Sequence, residues 1–420
     1  MTLINRPEYL KQLKSWHGQT ELVKIITGVR RCGKSMLLTL FQNHLLADGI
    51  KKEQIHAINF EDDENEKYTD RKVLHNHILD CLVPDKMNYV FLDEIQIVQD
   101  WQKAVNSLRL RPNIDIYLTG SNAYMFSGEL ATLLGGRYIE IKMQPLSFKE
   151  YVDGKNTINE SKQAINLQEE YDHYIRESGF PQTLFMNGNR QMINDYLMNS
   201  VYLNTIQKDI IRRYKIKDTI RLENIIRYMF DNIGNETSLR GIEAGLRQDG
   251  RKATVKTIDI YLQGLLDSYL MYKCPRYDLK GKKLLHSECK YYAADMGLRT
   301  ALLGRENTDL GYMLENVVYL ELLRRGYNVT VGKVKKKTVK GEPPKIIEVD
   351  FAAVKPGGNP EYYQVSWTVM GNEETYKREI MSLEEIKDNY PKYLLTMDFG
   401  SAMHKGIKRV NVLDWLLGKE

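Results

Sequence analysis

The residues with the clearest chemical potential are two glycines five positions apart, Gly28 and Gly33, with lysine and serine directly after the second. Glycines at these positions let the backbone curl until its N–H groups face inward, where they can cradle a β-phosphate. Lys34 would then reach the β- and γ-phosphates, and the hydroxyl of Ser35 would ligate Mg²⁺ at a helix N-terminus, where the dipole favours anions. We therefore predict a nucleotide-binding loop made of Gly28, Val29, Arg30, Arg31, Cys32, Gly33, Lys34, Ser35 and Met36.

A pair of acidic residues, Asp93 and Glu94, directly follows the apolar run at residues 89–92. In this position an aspartate would hold Mg²⁺ through water, and a glutamate would polarise the attacking water as general base. A strand that simply ends in a solvated acidic turn is the alternative. Because a phosphate-binding loop lies upstream and another strand follows, we interpret Asp93 as a metal residue and Glu94 as catalytic.

Two further positions are candidates for sensing or stabilising the γ-phosphate. The apolar run at residues 114–119 ends in Gly-Ser-Asn, and we choose Ser121 as the residue that senses the γ-phosphate, with Thr119 and Asn122 as alternatives. A helix cap at Asn122 is the purely structural interpretation. Arg137 stands where a cis or trans arginine would stabilise transition-state charge, although a surface arginine paired with a neighbour is equally compatible with the sequence.

Apolar runs that alternate with helical patterns must position these residues, and they indicate an α/β fold built on a parallel sheet. The phosphate loop lies between a strand ending at residue 27 and a helix at 36–45. One strand leads into the phosphate loop and another into the acidic pair. In the sheet, we expect the strand at 114–119 to lie between these two. The predicted strands are residues 25–27, 55–60, 89–92, 114–119 and 138–141.

Three longer motifs lie within the same part of the chain: Leu-Thr-Gly-Ser-Asn-Ala at 118–123, Leu-Leu-Gly-Gly-Arg-Tyr at 133–138 and Gln-Pro-Leu-Ser-Phe-Lys-Glu-Tyr at 144–151. With the loop and the acidic pair, they make the chain similar to a prokaryotic AAA+/STAND-like P-loop ATPase family whose members carry a C-terminal domain of unknown function. The sequence has no base-reading motif such as Asn-Lys-x-Asp, so the residues alone do not identify the base. The resemblance implies that the nucleotide is ATP. We predict four parts: an ATPase core at 1–155, a helical lid or linker at 156–215, a winged-helix domain at 216–300 and a restriction-endonuclease-like α/β domain at 301–420.

The middle of the chain has a helical pattern up to residue 214, interrupted by Ser-Gly-Phe-Pro at 178–181. In the resembling family a Gly-x-Pro turn lies in the lid and helps to report the nucleotide state, whereas a plain helix–helix turn is the alternative. The charged segment 208–213 would close over the nucleotide or a neighbouring subunit, and a solvated helix face is the competing interpretation.

Three predicted helices at 219–233, 239–246 and 254–266, followed by two strands around 269–275 and 284–293, have the order of a winged helix. Its basic residues would contact DNA phosphates. A module that packs on the ATPase core as a rigid transmitter is equally compatible, because the third helix is not rich in Arg, Asn or Gln. The basic residues are Arg240, Arg247, Arg251, Lys252, Lys256, Lys280, Lys282 and Lys283.

Acidic and amide residues near the C-terminus have the order of a metal site. Glu315 lies in a helical apolar pattern, and strand alternation places Glu348 with Asp350 on one face and Gln364 with Ser366 on one face of the partner strand. A helical Glu beside strands that carry Asp and then Gln/Glu-x-Lys is the restriction-endonuclease-like pattern. The resemblance implies Glu315, Asp350 and Gln364 as ligands of Mg²⁺.

One position departs from that pattern, because Ser366 stands where the motif has lysine. A substitute for the missing ammonium would have to come from the next helix, where Lys377 and Arg378 stand. We therefore predict the fold but not active cleavage. In the structural alternative, Glu315 and Asp350 are partners in a degenerate domain that only binds nucleic acid or protein.

The composition is that of a globular protein with room for two or three domains: 420 residues, 42% hydrophobic and 27% charged. A net charge of +5 restricts any nucleic-acid contact to a local patch. The four cysteines lack a C-x-x-C pair, so they indicate neither a disulfide framework nor a zinc site. Since no signal peptide or membrane-spanning run is evident, we expect a cytoplasmic protein without a membrane partner.

Three functions are consistent with these patterns, all with ATP and Mg²⁺ as cofactors. The leading hypothesis is an ATP-hydrolysing switch that couples nucleotide state to the winged-helix and nuclease-like domains and acts on nucleic acid. The second is a signalling or protein-remodelling ATPase that forms homo-oligomers on ATP and has no nucleic-acid role. The third is a metal-dependent nuclease licensed by ATP.

Overall fold

The N-terminal part of the molecule is built on a five-stranded sheet. The computed structural model describes residues 3–123, 134–159, 166–248, 250–304, 309–336 and 345–419. The strands of the first sheet are β1 (Val23–Thr27), β2 (Ile55–Asn59), β3 (Asn88–Asp93), β4 (Ile114–Gly120) and β5 (Tyr138–Lys142). They are all parallel, in the order β2-β3-β4-β1-β5, so β4 separates β1 from β3. The predicted α/β fold with a parallel sheet and an additional strand is confirmed.

Helices cover this sheet, as the continuous burial of β1, β3 and β4 requires. The helix after the phosphate loop buries Leu37, Phe41 and Leu45, which follow one another at four-residue spacing and therefore share one face. The helices are α1 (Pro7–Ser15), α2 (Lys34–Ala47), α3 (Arg71–Cys81), α4 (Trp101–Arg109) and α5 (Phe148–Asn159), with short 3-10 helices at Lys52–Gln54, Asp63–Thr69 and Ile95–Ile97.

A helical stretch follows, and part of it has unusual geometry. Residues 196–211 contain two stretches of π-helix, and we call them the π-helical segment. The π-helix is rare and frequently occurs at functional sites. The elements in order are α6 (Leu167–Glu177), a 3-10 helix (Pro181–Met186), α7 (Arg190–Asp195), the π-helices Tyr196–Leu203 and Ile206–Ile211, and α8 (Arg212–Tyr214).

Three helices and a β-hairpin come next, in the order predicted from the sequence. They are α9 (Thr219–Asp231), α10 (Leu239–Gln248), α11 (Val255–Asp267), β6 (Met271–Asp278) and β7 (Lys283–Ala293). Thr237, before α10, forms an isolated antiparallel bridge with Cys289 of β7. The hairpin also belongs to the C-terminal sheet. The predicted C-terminal domain began only at residue 301 and therefore did not include it.

The C-terminal sheet has eight strands, in the order β12-β13-β11-β10-β9-β8-β6-β7. Its remaining strands are β8 (Asn328–Lys336), β9 (Lys345–Val354), β10 (Pro360–Ser366), β11 (Lys392–Thr396), β12 (Ala402–His404) and β13 (Ile407–Asn411). The hairpin joins it through parallel pairing of β6 with β8. The helices are α12 (Met296–Leu303), α13 (Leu310–Arg324), α14 (Glu373–Glu384) and α15 (Val412–Leu417). Residues 337–344, between β8 and β9, lie outside the described residues.

The parts of the chain share one apolar core. Tyr9 and Phe41 of the N-terminal part belong to the same buried cluster as Ile210 of the π-helical segment and Trp415 of α15. The carboxylate of Asp295, just before α12, accepts a hydrogen bond from the backbone of Gly179 at 2.7 Å. The Ser-Gly-Phe-Pro turn is thereby fixed to an element more than a hundred residues later.

Candidate functional site

The phosphate loop has the backbone geometry that its glycines predict. Gly28 has φ of 147°, and a Cβ placed on it would lie 2.0 Å from the carbonyl oxygen of Met143. Gly33 is left-handed, with φ of 104°, and begins α2. Both positions therefore need glycine for conformation, and Gly28 needs it for space as well. The side chains of Val29 and Cys32 point into the core, so these two predicted binding residues would contribute backbone atoms only.

The lysine of the loop is folded onto the loop itself. Lys34 is buried, and its Nζ donates to the carbonyl oxygens of Gly28 at 3.1 Å and Val29 at 3.3 Å. The same Nζ lies 3.7 Å from Oε1 of Glu94. A phosphate that enters the loop would replace these neighbours of the ammonium group.

The acidic pair lies beside the loop, as its position at the end of β3 predicts. The hydroxyl of Thr119 donates to the Asp93 carboxylate and accepts from the backbone N–H of Glu94 at 2.8 Å, and the hydroxyl of Ser35 also bonds Asp93. Burial raises the pKa of Asp93, so a nearby cation would stabilise its charged form. Burial would also raise the pKa of Glu94, but Lys34 and Arg30 outweigh it and hold that pKa below its usual range.

A carboxylate that sequence analysis did not single out, Asp209 of the π-helical segment, reaches into the site. Arg30 donates to it from Nε at 2.6 Å and from Nη2 at 3.1 Å, a bidentate pair. The hydroxyl of Ser121 donates to the same carboxylate at 3.3 Å. Closure over the nucleotide or a neighbouring subunit was one interpretation of the charged segment 208–213, beside a solvated helix face, and that pattern was the available signal. Which residue would make the contact depends on tertiary packing.

These residues surround a polar cavity of about 280 Å³. Six of the nine predicted binding residues line it, together with Glu94: Arg30, Arg31, Gly33, Lys34, Ser35 and Met36. Its far wall is the 3-10 helix at Pro181 and Gln182 and the π-helical segment at Tyr196, Ser200, Asn204 and Lys208. A smaller apolar cavity adjoins it at Ile4, Met36, Pro181 and Phe185.

Arg6 is a second residue that sequence analysis missed. It is buried, and its guanidinium donates to the Glu150 carboxylate at 2.9 Å, to the carbonyl oxygen of Cys32 at 2.9 Å and to that of Gln144 at 2.7 Å. It thus connects the phosphate loop to the segment after β5. Nothing in the local sequence marks this role, because its partners are 26 to 144 positions away.

Arg137 lies far from the phosphate loop of its own chain. Its neighbour Tyr138 pairs with Val23 at the start of β1, whereas the loop follows Thr27 at the other end. Five strand residues at about 3.3 Å each separate the two edges of the sheet. The cis role suggested for Arg137 is therefore wrong for this structure. A trans role towards a neighbouring copy stays a prediction.

The C-terminal residues are only partly brought together. Glu315 and Asp350 lie near each other and near Lys290 of β7. Gln364 instead turns towards α14, where its amide contacts Glu379 and Ser382. Among the residues that the structure describes, no group of three or more His, Cys, Asp or Glu side chains is arranged to hold a metal ion.

Comparison with known proteins agrees with the site geometry. Residues 20–152 match an AAA domain, and residues 168–309 match a domain of unknown function. An uncharacterised protein of Haemophilus influenzae is 37% identical over 417 residues, which cover 99% of both chains. The chain belongs to the AAA-type P-loop ATPase family. Its matched second domain extends across both predicted borders, at residues 215 and 300.

Other matches to this AAA-family chain are more distant. An uncharacterised protein of Methanocaldococcus jannaschii is 31% identical over 87% of this chain and 79% of its own length. RuvB of Thermotoga maritima is 15% identical over 65% of this chain and 90% of that chain, with a TM-score of 0.36. DnaA of Aquifex aeolicus, bound to AMPPCP, is 14% identical over 61% and 86%, with a TM-score of 0.33. In the described parts of this chain, no helix combines the length and apolar character needed to cross a bilayer.

Proposed function

We propose that this chain is a Mg²⁺-dependent ATP-binding and ATP-hydrolysing switch whose nucleotide state controls the contact between the phosphate loop and the π-helical segment, and whose output acts on nucleic acid. The contact of Asp209 with both Arg30 and Ser121 carries the proposal. It joins the loop, the end of β4 and the π-helical segment at the place where a γ-phosphate would lie.

The residues around the polar cavity fit the magnesium complex of a nucleoside triphosphate. The loop supplies backbone amides and Lys34 for the phosphates. The hydroxyl of Ser35 and the carboxylate of Asp93 are hydrogen-bonded to each other, and they are oxygen ligands of the kind that Mg²⁺ prefers. Mg²⁺ would supply charge neutralisation on the phosphate oxygens during transfer. The adjoining apolar cavity is suited to the flat face of a base.

Hydrolysis requires a base close to the phosphates, and Glu94 is the side chain placed for that role. It is anionic, since Lys34 and Arg30 lower its pKa. Its backbone N–H is held by Thr119, which fixes the turn at the end of β3. A glutamate so placed orients and polarises the attacking water.

The switch follows from competition between two anions for the same donors. A γ-phosphate would need Arg30 and Ser121, which both contact Asp209 in this structure. Like charges repel strongly at such distances in a partly buried site, so Asp209 would leave as the phosphate enters. Because Asp209 belongs to the π-helical segment, its departure would move that segment.

The residue after Asp209 offers a route from the nucleotide to α11. A Cβ placed on Gly264 of α11 would lie 2.9 Å from Cγ2 of Ile210, so the helix and the π-helical segment are in close contact there. The hydroxyl of Tyr214 also donates to the carboxylate of Asp267, at the end of α11. Displacement of Asp209 would therefore change the packing of the π-helical segment against α11.

A basic cavity of about 390 Å³ lies at the N-terminus of α11 and supports a nucleic-acid role. Cationic side chains and the first turn of a thirteen-residue helix together suit a phosphate backbone. Arg247 and Arg221 also approach Glu243 and Asp218, at 3.5 and 3.2 Å. The cavity is lined by Arg221, Glu243, Arg247, Arg251, Lys252, Ala253 and Thr254.

An ATPase assay with single-stranded DNA, duplex DNA and RNA, at low and moderate salt, tests the proposal. We expect Lys34→Ala to abolish turnover and Glu94→Gln to lower it by about 100-fold or more while ATP still binds. At least one nucleic acid should stimulate the wild-type rate, more strongly at low salt. If turnover ignores all three and none of them binds, the nucleic-acid half fails. Light scattering with a slowly hydrolysed ATP analogue would then reveal the oligomers of a protein-remodelling ATPase.

A further inference from the structure

We propose that the ammonium of Lys290 is the resident cation of the carboxylate cluster formed by Glu315, Glu348 and Asp350, and that this cluster takes no divalent metal ion while Lys290 is present. The cluster then serves to connect the β6–β7 hairpin to the C-terminal sheet. This inference goes beyond the nucleotide-driven function and does not depend on it.

The contacts of Lys290 carry the proposal. Its side chain is only 5% exposed, and its Nζ lies 2.8 Å from Oε1 of Glu315, 2.7 Å from Oε1 of Glu348 and 4.0 Å from Oδ1 of Asp350. Three carboxylates thus converge on one buried ammonium group, so the lysine already occupies the space between them.

Three separate elements bring the cluster together. Glu348 and Asp350 stand two positions apart on β9 and share one face, as strand alternation predicted. Glu315 comes from α13, and the hydroxyl of Tyr292, on the same strand as Lys290, donates to it at 2.7 Å. In the sheet, β8 and β6 lie between β9 and β7, so the ion pairs of Lys290 join strands that are not neighbours.

The third predicted metal ligand has other partners. Oε1 of Gln364 accepts from the hydroxyl of Ser382 at 3.0 Å and from the backbone N–H of Asp350 at 3.3 Å, and its Nε2 donates to Glu379 at 2.8 Å. Asp350 in turn accepts from the backbone N–H of Val365 at 2.8 Å. These hydrogen bonds engage both ends of the glutamine amide with α14 and with the backbone of Asp350, so the amide already has partners other than a metal ion.

The predicted substitutes for the motif lysine are also placed elsewhere. Lys377 pairs with Glu373, and Arg378 pairs with Glu379, both on α14. Ser366 donates to the carbonyl oxygen of Thr368. The ammonium beside Glu315 and Asp350 thus comes from β7, which precedes every position of the motif in the chain, so the motif pattern cannot indicate it.

A divalent ion and Lys290 exclude each other on electrostatic grounds. Mg²⁺ binds carboxylate oxygens at about 2.0–2.1 Å and wants six oxygen ligands. An ion shared by Glu315 and Asp350 would lie within a few ångströms of Nζ, where repulsion between two buried cations is severe. The residues present therefore do not fit the metal centre that the nuclease-like resemblance implies.

A second lysine extends the network to the helical part of the chain. The ammonium of Lys333, on β8, contacts both Glu348 and Glu236, which lies between α9 and α10. Arg276 of β6 also approaches Glu236, at 3.4 Å. The ion pairs thus join the sheet, the hairpin and the segment before α10, so they fix the position of the basic cavity relative to the sheet.

Thermal unfolding and calorimetry of the full chain, without nucleotide, test the proposal. Every variant carries Asp93→Asn, so that metal uptake at the nucleotide site does not count. With Lys290 present, we expect the same midpoint in Mn²⁺ and in EDTA and no heat of Mn²⁺ binding. Asp350→Asn should leave this lack of response to Mn²⁺ unchanged, whatever it does to the midpoint itself. With Lys290→Met, the midpoint in EDTA should fall, and Mn²⁺ in about 100-fold excess over its Kd should raise it by about 3 °C.

Two controls keep this test decisive. Adding Asp350→Asn to Lys290→Met should abolish the response to Mn²⁺, because it removes a ligand. Mn²⁺ uptake by the chain that keeps Lys290, lost on Asp350→Asn, would overturn the proposal, as would plasmid nicking with the same dependence. This outcome is measured on proteins that keep Lys290, with and without Asp350→Asn, so the test remains decisive even if Lys290→Met does not fold. ATP turnover is not part of the readout, so a failed switch would leave the result unaffected.

Discussion

The guanidinium of Arg30 in the phosphate loop forms a bidentate ion pair with Asp209, a residue 179 positions later in the chain. Burial opposes the charge of Arg30, but the Asp209 carboxylate outweighs it and raises the pKa of the arginine. The pair is largely shielded from solvent, so losing either partner would leave a poorly compensated charge in a partly buried site. It makes the phosphate loop and the π-helical segment mechanically dependent on each other.

Replacing Asp209 with asparagine should tighten ATP binding. The variant keeps the shape of the side chain but removes the negative charge that competes with a γ-phosphate for Arg30 and Ser121. We expect the Kd for ATP to fall about tenfold, equivalent to about 1.4 kcal/mol, with a smaller change for ADP. Titration calorimetry measures both. Asp195→Asn, exposed on α7, is the matched control, and an unchanged Kd in Asp209→Asn would contradict the competition argument.

Replacing Gly28 with alanine should eliminate nucleotide binding. The new methyl would lie 2.0 Å from the carbonyl oxygen of Met143, a backbone atom that cannot move away cheaply, and φ of 147° is a strained conformation for alanine. Gly49→Ala is the matched control, because that glycine also has a positive φ but nothing lies within 4 Å of its added Cβ. Binding of a fluorescent ATP analogue should be retained by the control and lost by Gly28→Ala.

Replacing Gly264 with alanine should uncouple α11 from the nucleotide. The Cβ would lie 2.9 Å from Ile210, so the helix and the π-helical segment must separate slightly. We expect ATP affinity to stay close to that of the wild type, while the effect of ATP on nucleic-acid binding is reduced several-fold. Fluorescence anisotropy of labelled DNA, with and without the ATP analogue, measures this. Gly311→Ala, with open space around its Cβ, should leave the effect intact.

The sequence predicted which N-terminal residues lie together, because its signals there are local. The loop, the acidic pair and Ser121 each lie at the end of a predicted strand, and parallel strands bring such ends to one edge. Arg137 stands just before β5, at the opposite edge of the sheet. The cis role failed because Arg137 is near the other site residues in sequence but not in space. Asp209 escaped residue-level prediction because it reaches the site from a helical segment that packs across the edge.

The C-terminal part shows the limit of motif reasoning more clearly. Strand alternation correctly put Glu348 and Asp350 on one face, but a motif is read along one stretch of chain. Lys290 enters from a hairpin assigned to another domain, and the pairing of β6 with β8 that brings it there is non-local. Gln364 was assigned as a metal ligand from its position in the strand. Its amide instead forms hydrogen bonds with Ser382 and Glu379 on α14, which the strand pattern does not include.

The cysteine thiols should differ sharply in reactivity. Burial raises the pKa of Cys32, Cys274 and Cys289, whereas Cys81 is exposed at the end of α3. Since the thiolate is the reactive form, native protein treated with iodoacetamide near pH 8 should be modified first at Cys81. Peptide mass spectrometry identifies the modified cysteines, and unfolded protein, in which all four cysteines should react, is the control. Early modification of Cys32 would mean that the phosphate loop opens far more than this structure indicates.

Removing two charges from the basic cavity should weaken nucleic-acid binding through phosphate contacts. The double variant Arg251→Ala and Lys252→Ala lowers the net charge by two, and so does Lys11→Ala with Lys14→Ala on the exposed side of α1, which makes the second pair a matched control. If the cavity holds phosphates, only the first pair should reduce the slope of log K against log salt, by about 1 per lost contact. Equal losses in both pairs would mean that net charge alone governs binding. Measuring K at several salt concentrations separates these cases, because a uniform field shifts affinity at every site whereas a lost contact changes the number of counterions released.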